Sequence, residues 1–233
     1  MFKKNKILKF ESAIEVYPKI ITPAKTHIPD WYKKIPVWEN NKIFDLQKGF
    51  RPTVKHCMPF IDSLTTGYML LLPYDIYVTT NNGEPYVSWR VENQTPISWR
   101  DKTMDEKIIP FNHYPLEYTW TMPASFVVPK NYSLLITHPL NRHDLPFTTL
   151  NGIVDGEFVM QPNSNLPFYI KKGFEGIISQ GTPIAQLIPF RQENWIAKIT
   201  KGILEEGKKN GIKTTSVISG WYKQTFWRKK RYE

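Results

Sequence analysis

Nineteen prolines, spread from Pro18 to Pro189, constrain this chain more than any other feature. Each removes a backbone donor and fixes one torsion, so no long helix can run anywhere in that span. Short strands and loops are what remain. Runs rich in β-branched and aromatic residues follow one another from residue 53 onward: "GYMLLLPYDIYVTT", "PYVSWRVE", "LEYTWTM", "SFVVP", "YSLLITHP", "GIVDGEFVM", "LPFYIKK", "EGIIS" and "IAQLIPF". Gly, Pro and Asn separate them at spacings that suit an all-β sandwich or barrel. "NNGEP" at Asn81 to Pro85 predicts a tight hairpin, because Asn-Gly tolerates the positive φ angles such a turn needs. Over 233 residues, 41% hydrophobic and 14% aromatic content is enough for one sizeable core.

The two ends read differently from this middle. Residues 1–52 are expected to form an extended arm: Pro18, Pro23, Pro29 and Pro36 forbid a regular helix, and Trp31 and Trp38 offer large apolar anchors. Residues 53–191 form the β core. A single C-terminal helix is expected over 192–212, with Asn194 as its cap, Ile196, Ile199, Ile203 and Leu204 at helical spacing and "GKKNG" ending it. Residues 213–233 make a tail in which basic residues alternate with Trp221, Tyr222, Phe226, Trp227 and Tyr232. Such a tail can hold single-stranded nucleic acid, lie on a membrane surface or dock into a neighbouring subunit. Tryptophan-rich extensions at both ends favour docking, with Trp31, Trp38, Trp221 and Trp227 as the candidate partner anchors, and no membrane partner is expected.

A net charge of +10, from 31 Lys and Arg against 21 Asp and Glu, favours anionic partners such as nucleic acid, nucleotides or an acidic protein surface. Cys57 is the sole cysteine, so there is no internal disulfide, and its apolar flank suits an inert thiol better than a nucleophile. No zinc spacing, membrane-length apolar run or secretory leader is legible. No cofactor or metal is expected, and the chain suits a cytoplasm or something assembled in one.

One loop concentrates polar groups. "HPLNRHDLPF" reads as an anion or nucleotide pocket, with Arg142 as a planar donor and Asn141 and Asp144 fixing orientation. The competing reading is an ordered loop in which Arg142 and Asp144 bond each other and nearby backbone. His138 and His143 lack a third ligand for a metal. In "GTPIAQLIPF" a glutamine, Gln186, interrupts a strand that otherwise wants burial; it either alternates to an outer face or is an inward group that needs a partner.

Laid out in this order, residues 64–190 resemble the deoxyuridine triphosphatase and deoxycytidine triphosphate deaminase superfamily, a small all-β fold of the β-barrel or β-clip kind usually found as trimers. "TTGYMLLL" with "YDIYV" stands for its Gly-Tyr-Asp-Leu strand, and "YSLLITHPLNRHDLPF" for its phosphate-contacting turn. "LNGIVDGEF" stands for its Gly-Val-Ile-Asp hairpin, and "QGTPIAQLIPF" for its Gly-Asp-Arg-Ile-Ala-Gln-Leu strand. The resemblance implies a pocket of Asn141, Arg142, Asp144, Asp155 and Gln186. It also implies a degenerate one: the metal-associated Asp is Met69, the Arg-Ser-Gly turn is "LNRH", Asp155 is followed by "GEF", and the glycine-rich flap is missing. The chain is also similar, over nearly its full length, to an uncharacterised family of tailed bacteriophages through "IPDWYKKIP", "CMPFIDSLTTGYMLLLP", "THPLNRHDLPFTTLNGIVD", "KGFEGIISQGTPIAQLIPF" and "YKQTFW". That similarity implies a viral origin and no particular activity; taken with the lost catalytic set and the two arms, it leads to the expectation of a non-enzymatic homo-oligomeric subunit of a phage virion, head-decorating or connector-associated, built in the host cytoplasm beside other phage structural proteins. A free cytoplasmic protein that binds or cleaves a nucleotide or nucleotide signal is the alternative.

Overall fold

The computed structural model of the chain describes residues 6–47, 49–100, 106–216 and 220–233. Its first elements are β1 (Lys9–Ser12), β2 (Ile21–Pro23), α1 (Asp30–Lys34), β3 (Phe44–Asp45), β4 (Gly49–Phe50) and α2 (Met58–Thr65). Next come β5 (Tyr68–Leu71), β6 (Ile76–Asn81), β7 (Glu84–Ser88), β8 (Ile97–Trp99), β9 (Tyr118–Thr121) and β10 (Ala124–Val127). Then follow β11 (Tyr132–Thr137), β12 (Phe147–Thr149), β13 (Gly152–Asp155), β14 (Asn165–Ile170), β15 (Gly176–Ile178) and β16 (Pro183–Arg191). Two helices, α3 (Ile203–Ser216) and α4 (Trp221–Thr225), end the chain. The protein is therefore mainly β, and each of the nine apolar runs contains a strand.

Two antiparallel sheets carry the core, one ordered β13-β11-β16-β5-β2 and the other β12-β14-β9-β8; β15-β6-β7, β1-β10 and β3-β4 form smaller ones. Among the described residues no sheet closes on itself, so the expected barrel is replaced by separate sheets that share one interior. Alternation along each strand sends Leu70, Leu134, Ile136 and Leu187 from the first sheet toward Trp120, Phe147, Phe168 and Ile170 from the second. Trp120 stacks on Phe168 with ring centroids 3.7 Å apart and meets Phe147 edge-on at 5.0 Å. Its indole N–H donates to Thr149 Oγ1 at 3.2 Å, whose hydroxyl donates to the Ile184 carbonyl at 2.6 Å. A polar bridge thus crosses the core without leaving a buried group unpaired.

The hairpin at Asn82 and Gly83 joins β6 to β7 with φ of +50° and +81°, as Asn-Gly predicts. "LNGIVD" is not a hairpin. Phe147–Thr149 pairs with β14 while Gly152–Asp155 pairs with β11, so the chain crosses from one sheet to the other at Leu150 and Asn151.

The N-terminal stretch is woven in rather than laid over the surface. β1 pairs with β10 and β2 with β5, and Ile20, Ile21, Ala24 and Tyr32 are buried. Its four prolines leave room for the five-residue α1, which starts directly after Pro29, a residue that forms the N-cap with an extended backbone. α2, with Pro59 in its first turn where a missing N–H costs nothing, packs against the turn at Ala24–His27, and its end is bonded to Gln186 on the far face of the first sheet. The C-terminal helix differs most from expectation: residues 192–202 are not helical, and α3 begins only at Ile203, after Gly202 at φ +91°. Gly207 and Gly211, expected to end a helix, lie inside it, each at a cost of about 1 kcal/mol relative to alanine.

Candidate functional site

Gln186 is wholly buried, on the face of β16 opposite the main core and directly across from Met69 of β5. Its Nε2 donates to the carbonyls of Ser63 and Thr66 at 2.9 and 2.7 Å, and its Oε1 accepts from the Leu140 N–H at 2.8 Å. A helix leaves its last carbonyls without intrahelical partners. Gln186 supplies those partners at the end of α2 and ties the loop after β11 to the same point. The glutamine that interrupts an apolar strand is satisfied by backbone, and no hydrogen-bonding atom of it is left for a ligand.

The loop after β11 is held just as firmly. Asn141, at φ +58°, donates from Nδ2 to Ser63 Oγ at 2.6 Å. Arg142 pairs with Asp144 through Nε at 2.9 Å and Nη2 at 2.9 Å, and Trp31 Nε1 donates to the same carboxylate at 3.1 Å. Partial burial opposes ionisation of Asp144, but the Arg142 hydrogen bond and charge, with the Trp31 indole, outweigh it and hold the carboxyl below its ordinary range. Of the two readings of "HPLNRHDLPF", the geometry follows the ordered loop: Arg142 and Asp144 neutralise each other under Trp31 of α1.

His138 sits beneath this loop. Its Nδ1 accepts from the Thr149 N–H at 3.3 Å, which leaves Nε2 to donate to the Arg142 carbonyl at 3.2 Å. Burial pushes its pKa down to about 4, with the bond to the Arg142 carbonyl opposing and the charges of Lys171, His143 and Arg142 assisting. The unfolded chain takes up a proton near pH 6.5 and the folded chain only near 4, so stability falls as pH drops through that window. The loss attributable to His138 is about 3 kcal/mol at most. Denaturant titrations at pH 7 and pH 4.5 are expected to show a shallower decline for His138→Gln than for the wild type.

The remaining candidates lie apart. Asp155 pairs with Ser133, four residues back from Thr137, which places it about 13 Å along the strand from the loop at β11's end. It is exposed, and its Oδ1 accepts from Ser133 Oγ at 2.9 Å and Gln192 Nε2 at 3.2 Å. The five expected pocket residues therefore divide into four around α2 and one at a distant strand end. Among the described residues, no group of three or more His, Cys, Asp or Glu side chains is placed to hold a metal ion. A buried carboxylate does exist elsewhere: Glu117, just before β9, accepts from the Tyr169 hydroxyl at 3.2 Å and faces Arg100 Nη1 at 3.5 Å. Only its alternation with Thr119 and Thr121 on one face of the strand could have marked it.

All four candidate tryptophan anchors rest on their own chain. Trp31 meets Phe60 of α2 edge-on at 6.3 Å, Trp38 lies 4.4 Å from the His56 ring, and Trp221 contacts Phe226 at 5.1 Å with the Lys213 ammonium 5.3 Å away. Trp227 Nε1 donates to Asp62 Oδ2 at 3.0 Å, and Lys230 bonds the same oxygen. Tyr232 meets Tyr68 edge-on at 5.7 Å. Asp62→Ala is expected to free the tail, worth about 1.4 kcal/mol of local closure, and to speed tryptic cleavage after Arg228 and Lys229 about tenfold. Unchanged digestion would mean the tail is held by its aromatic contacts alone.

Compared with protein-family models the chain matches none, and no match is found among curated proteins. Among the described residues no helix is long and apolar enough to cross a membrane.

Proposed function

We propose that this protein is a non-enzymatic structural or assembly subunit of a tailed-phage particle, head-decorating or connector-associated, built on a degenerate triphosphatase-like fold and acting through self-association. The single observation that carries the reading is the closed polar knot around α2. Gln186, Asn141, Arg142 and Asp144 spend their hydrogen-bonding groups on backbone, on Ser63, on Trp31 and on one another. A nucleotide would have to break the Arg142–Asp144 pair and the Trp31 bond to Asp144, or open the bonds that Asn141 and Gln186 make to Ser63, Thr66 and Leu140. The phage-like sequence blocks, and the Met69 and "LNRH" replacements in the enzyme-like ones, support the same reading.

Calorimetric titration with deoxynucleotides and cyclic nucleotides is expected to give no heat, with Arg142→Ala indistinguishable from wild type. Saturable binding that Arg142→Ala abolishes would replace this reading with the nucleotide one. Binding of a single-stranded oligonucleotide that weakens steeply with salt and is lost on truncation after Gly220 would replace it with a nucleic-acid role for the tail. Particle preparations whose mass spectra lack the chain would remove the virion placement.

A further inference from the structure

Two apolar surfaces of this chain are left uncovered by the described residues. The first is the stretch that leaves β16. Trp195, Ile196 and Ile199 are 84%, 93% and 101% exposed, and Ile203 and Leu204, in the first turn of α3, are 63% and 72% exposed. Five large apolar side chains left this open within ten residues are apolar surface that a partner can bury. Both of its ends are anchored on the body. Gln192 N–H donates to the Asn131 carbonyl at 2.9 Å and its Nε2 to Ser133, while beyond α3 the tail is bound to Asp62 and Tyr68. All of these anchors lie on the five-stranded sheet, on the turn that leads into it or on α2, so the stretch forms a strap on that side of the molecule.

The second surface belongs to other strands. A groove of about 540 Å³ lies at β7, β8 and β9, walled by Tyr86, Trp89, Trp99 and Leu116, with Tyr118 and Pro85 completing it. Trp99 and Tyr86 are 64% and 60% exposed. β7 and β8 end their respective sheets, yet strand addition at β7 is blocked: Pro85 has no N–H, and its carbonyl accepts from the Tyr118 hydroxyl at 2.7 Å. The groove therefore receives side chains, and flat aromatic walls suit a tryptophan or isoleucine anchor. Charge agrees with this. Residues 194–202 carry Lys198 and Lys201 and no acid, and Glu84 is exposed at the start of β7. The neighbouring arginines are engaged, Arg90 over the Tyr77 ring at 4.8 Å and Arg100 with Glu117.

We propose that the strap of one copy, with Trp195 and Ile199 as anchors, docks in the Tyr86–Trp89–Trp99 groove of a second copy. The strap and the groove are different surfaces, so the contact runs head to tail and closes into a ring when its rotation allows. This rests on the self-association part of the reading above and names the contact that produces it.

The test is light scattering on the full chain and on two variants, Trp195→Ala with Ile199→Glu in the strap, and Trp99→Glu in the groove. Wild type is expected above the 27.4 kDa of one chain, and each variant alone at 27.4 kDa. An equimolar mixture regains twice the single-chain mass, because one variant keeps its groove and the other its strap. Far-UV circular dichroism checks the fold of each variant, and Tyr86→Ser substitutes for Trp99→Glu if the latter unfolds. A wild type that stays at the mass of one chain overturns the proposal, as does a mixture that fails to recover. An oligomer unaffected by either variant overturns the docking and leaves self-association standing. Restored mass together with nucleotide heats would keep the docking and remove the functional reading.

Discussion

Replacing Gln186 by leucine is expected to remove about 3–6 kcal/mol of stability, since it strands three buried backbone groups at about 1–3 kcal/mol each, less some relaxation. The groups are the Ser63 and Thr66 carbonyls and the Leu140 N–H. Leucine is close to glutamine in size and suits the apolar Met69 across from it, so packing alone would forecast a neutral change. Gln186→Glu separates the two accounts further. A carboxylate can accept from Leu140 but cannot donate to either carbonyl, and it places a charge at a wholly buried position. Both variants should therefore shift urea midpoints strongly downward or fail to accumulate as soluble protein. A small shift for leucine would mean that the end of α2 is satisfied otherwise, and would return Gln186 to the list of groups free for a ligand.

What could be read from the sequence divides along a physical line. Strand positions were legible because β-branched and aromatic runs between Gly, Pro and Asn report local backbone preference, and the Asn82-Gly83 turn reports its own φ angles. Pairing was not, because nothing in "TTLNGIVD" says that its two halves join different sheets. Nor does the isoleucine spacing at 196, 199 and 203 identify a helix by itself. Helical period matters energetically only when one face is buried, and here the residues up to Gly202 touch no core that would reward it. The glutamine's oddity was visible, but its partners lie 120 and 123 residues away in a helix that the proline spacing made easy to overlook. The same separation applies to Trp227 and Asp62, 165 residues apart, so an aromatic tail that looked poised for a neighbour is seated on its own helix. The exposed strap carries the outward-facing apolar surface that the tryptophans were expected to provide.

Gly67→Ala is expected to be as damaging as any change at Gln186, for a separate reason. Gly67 links α2 to β5 at φ +73°, where a Cβ would stand 2.1 Å from the Leu187 carbonyl oxygen and 3.0 Å from its carbon. Both atoms belong to backbone, so no rotamer change relieves the overlap. Residue 187 is paired with Tyr68 in the same ladder, and Gly67's own carbonyl accepts from the Ala24 N–H at 3.0 Å, so moving the chain apart breaks the contacts on either side. A suitable control is Gly173→Ala, which has nearly the same φ, +79°, and nothing within 4 Å of the added carbon. The control carries only the left-handed conformational penalty of about 1–2 kcal/mol, a fall in Tm of about 2–8 °C for a chain of this size. Gly67→Ala adds overpacking of about 1–3 kcal/mol or more and the lost pairing. Its Tm should drop by about 10 °C or more on the same scale, and the difference between the two variants measures how closely β16 is pressed against the turn that Gly67 makes.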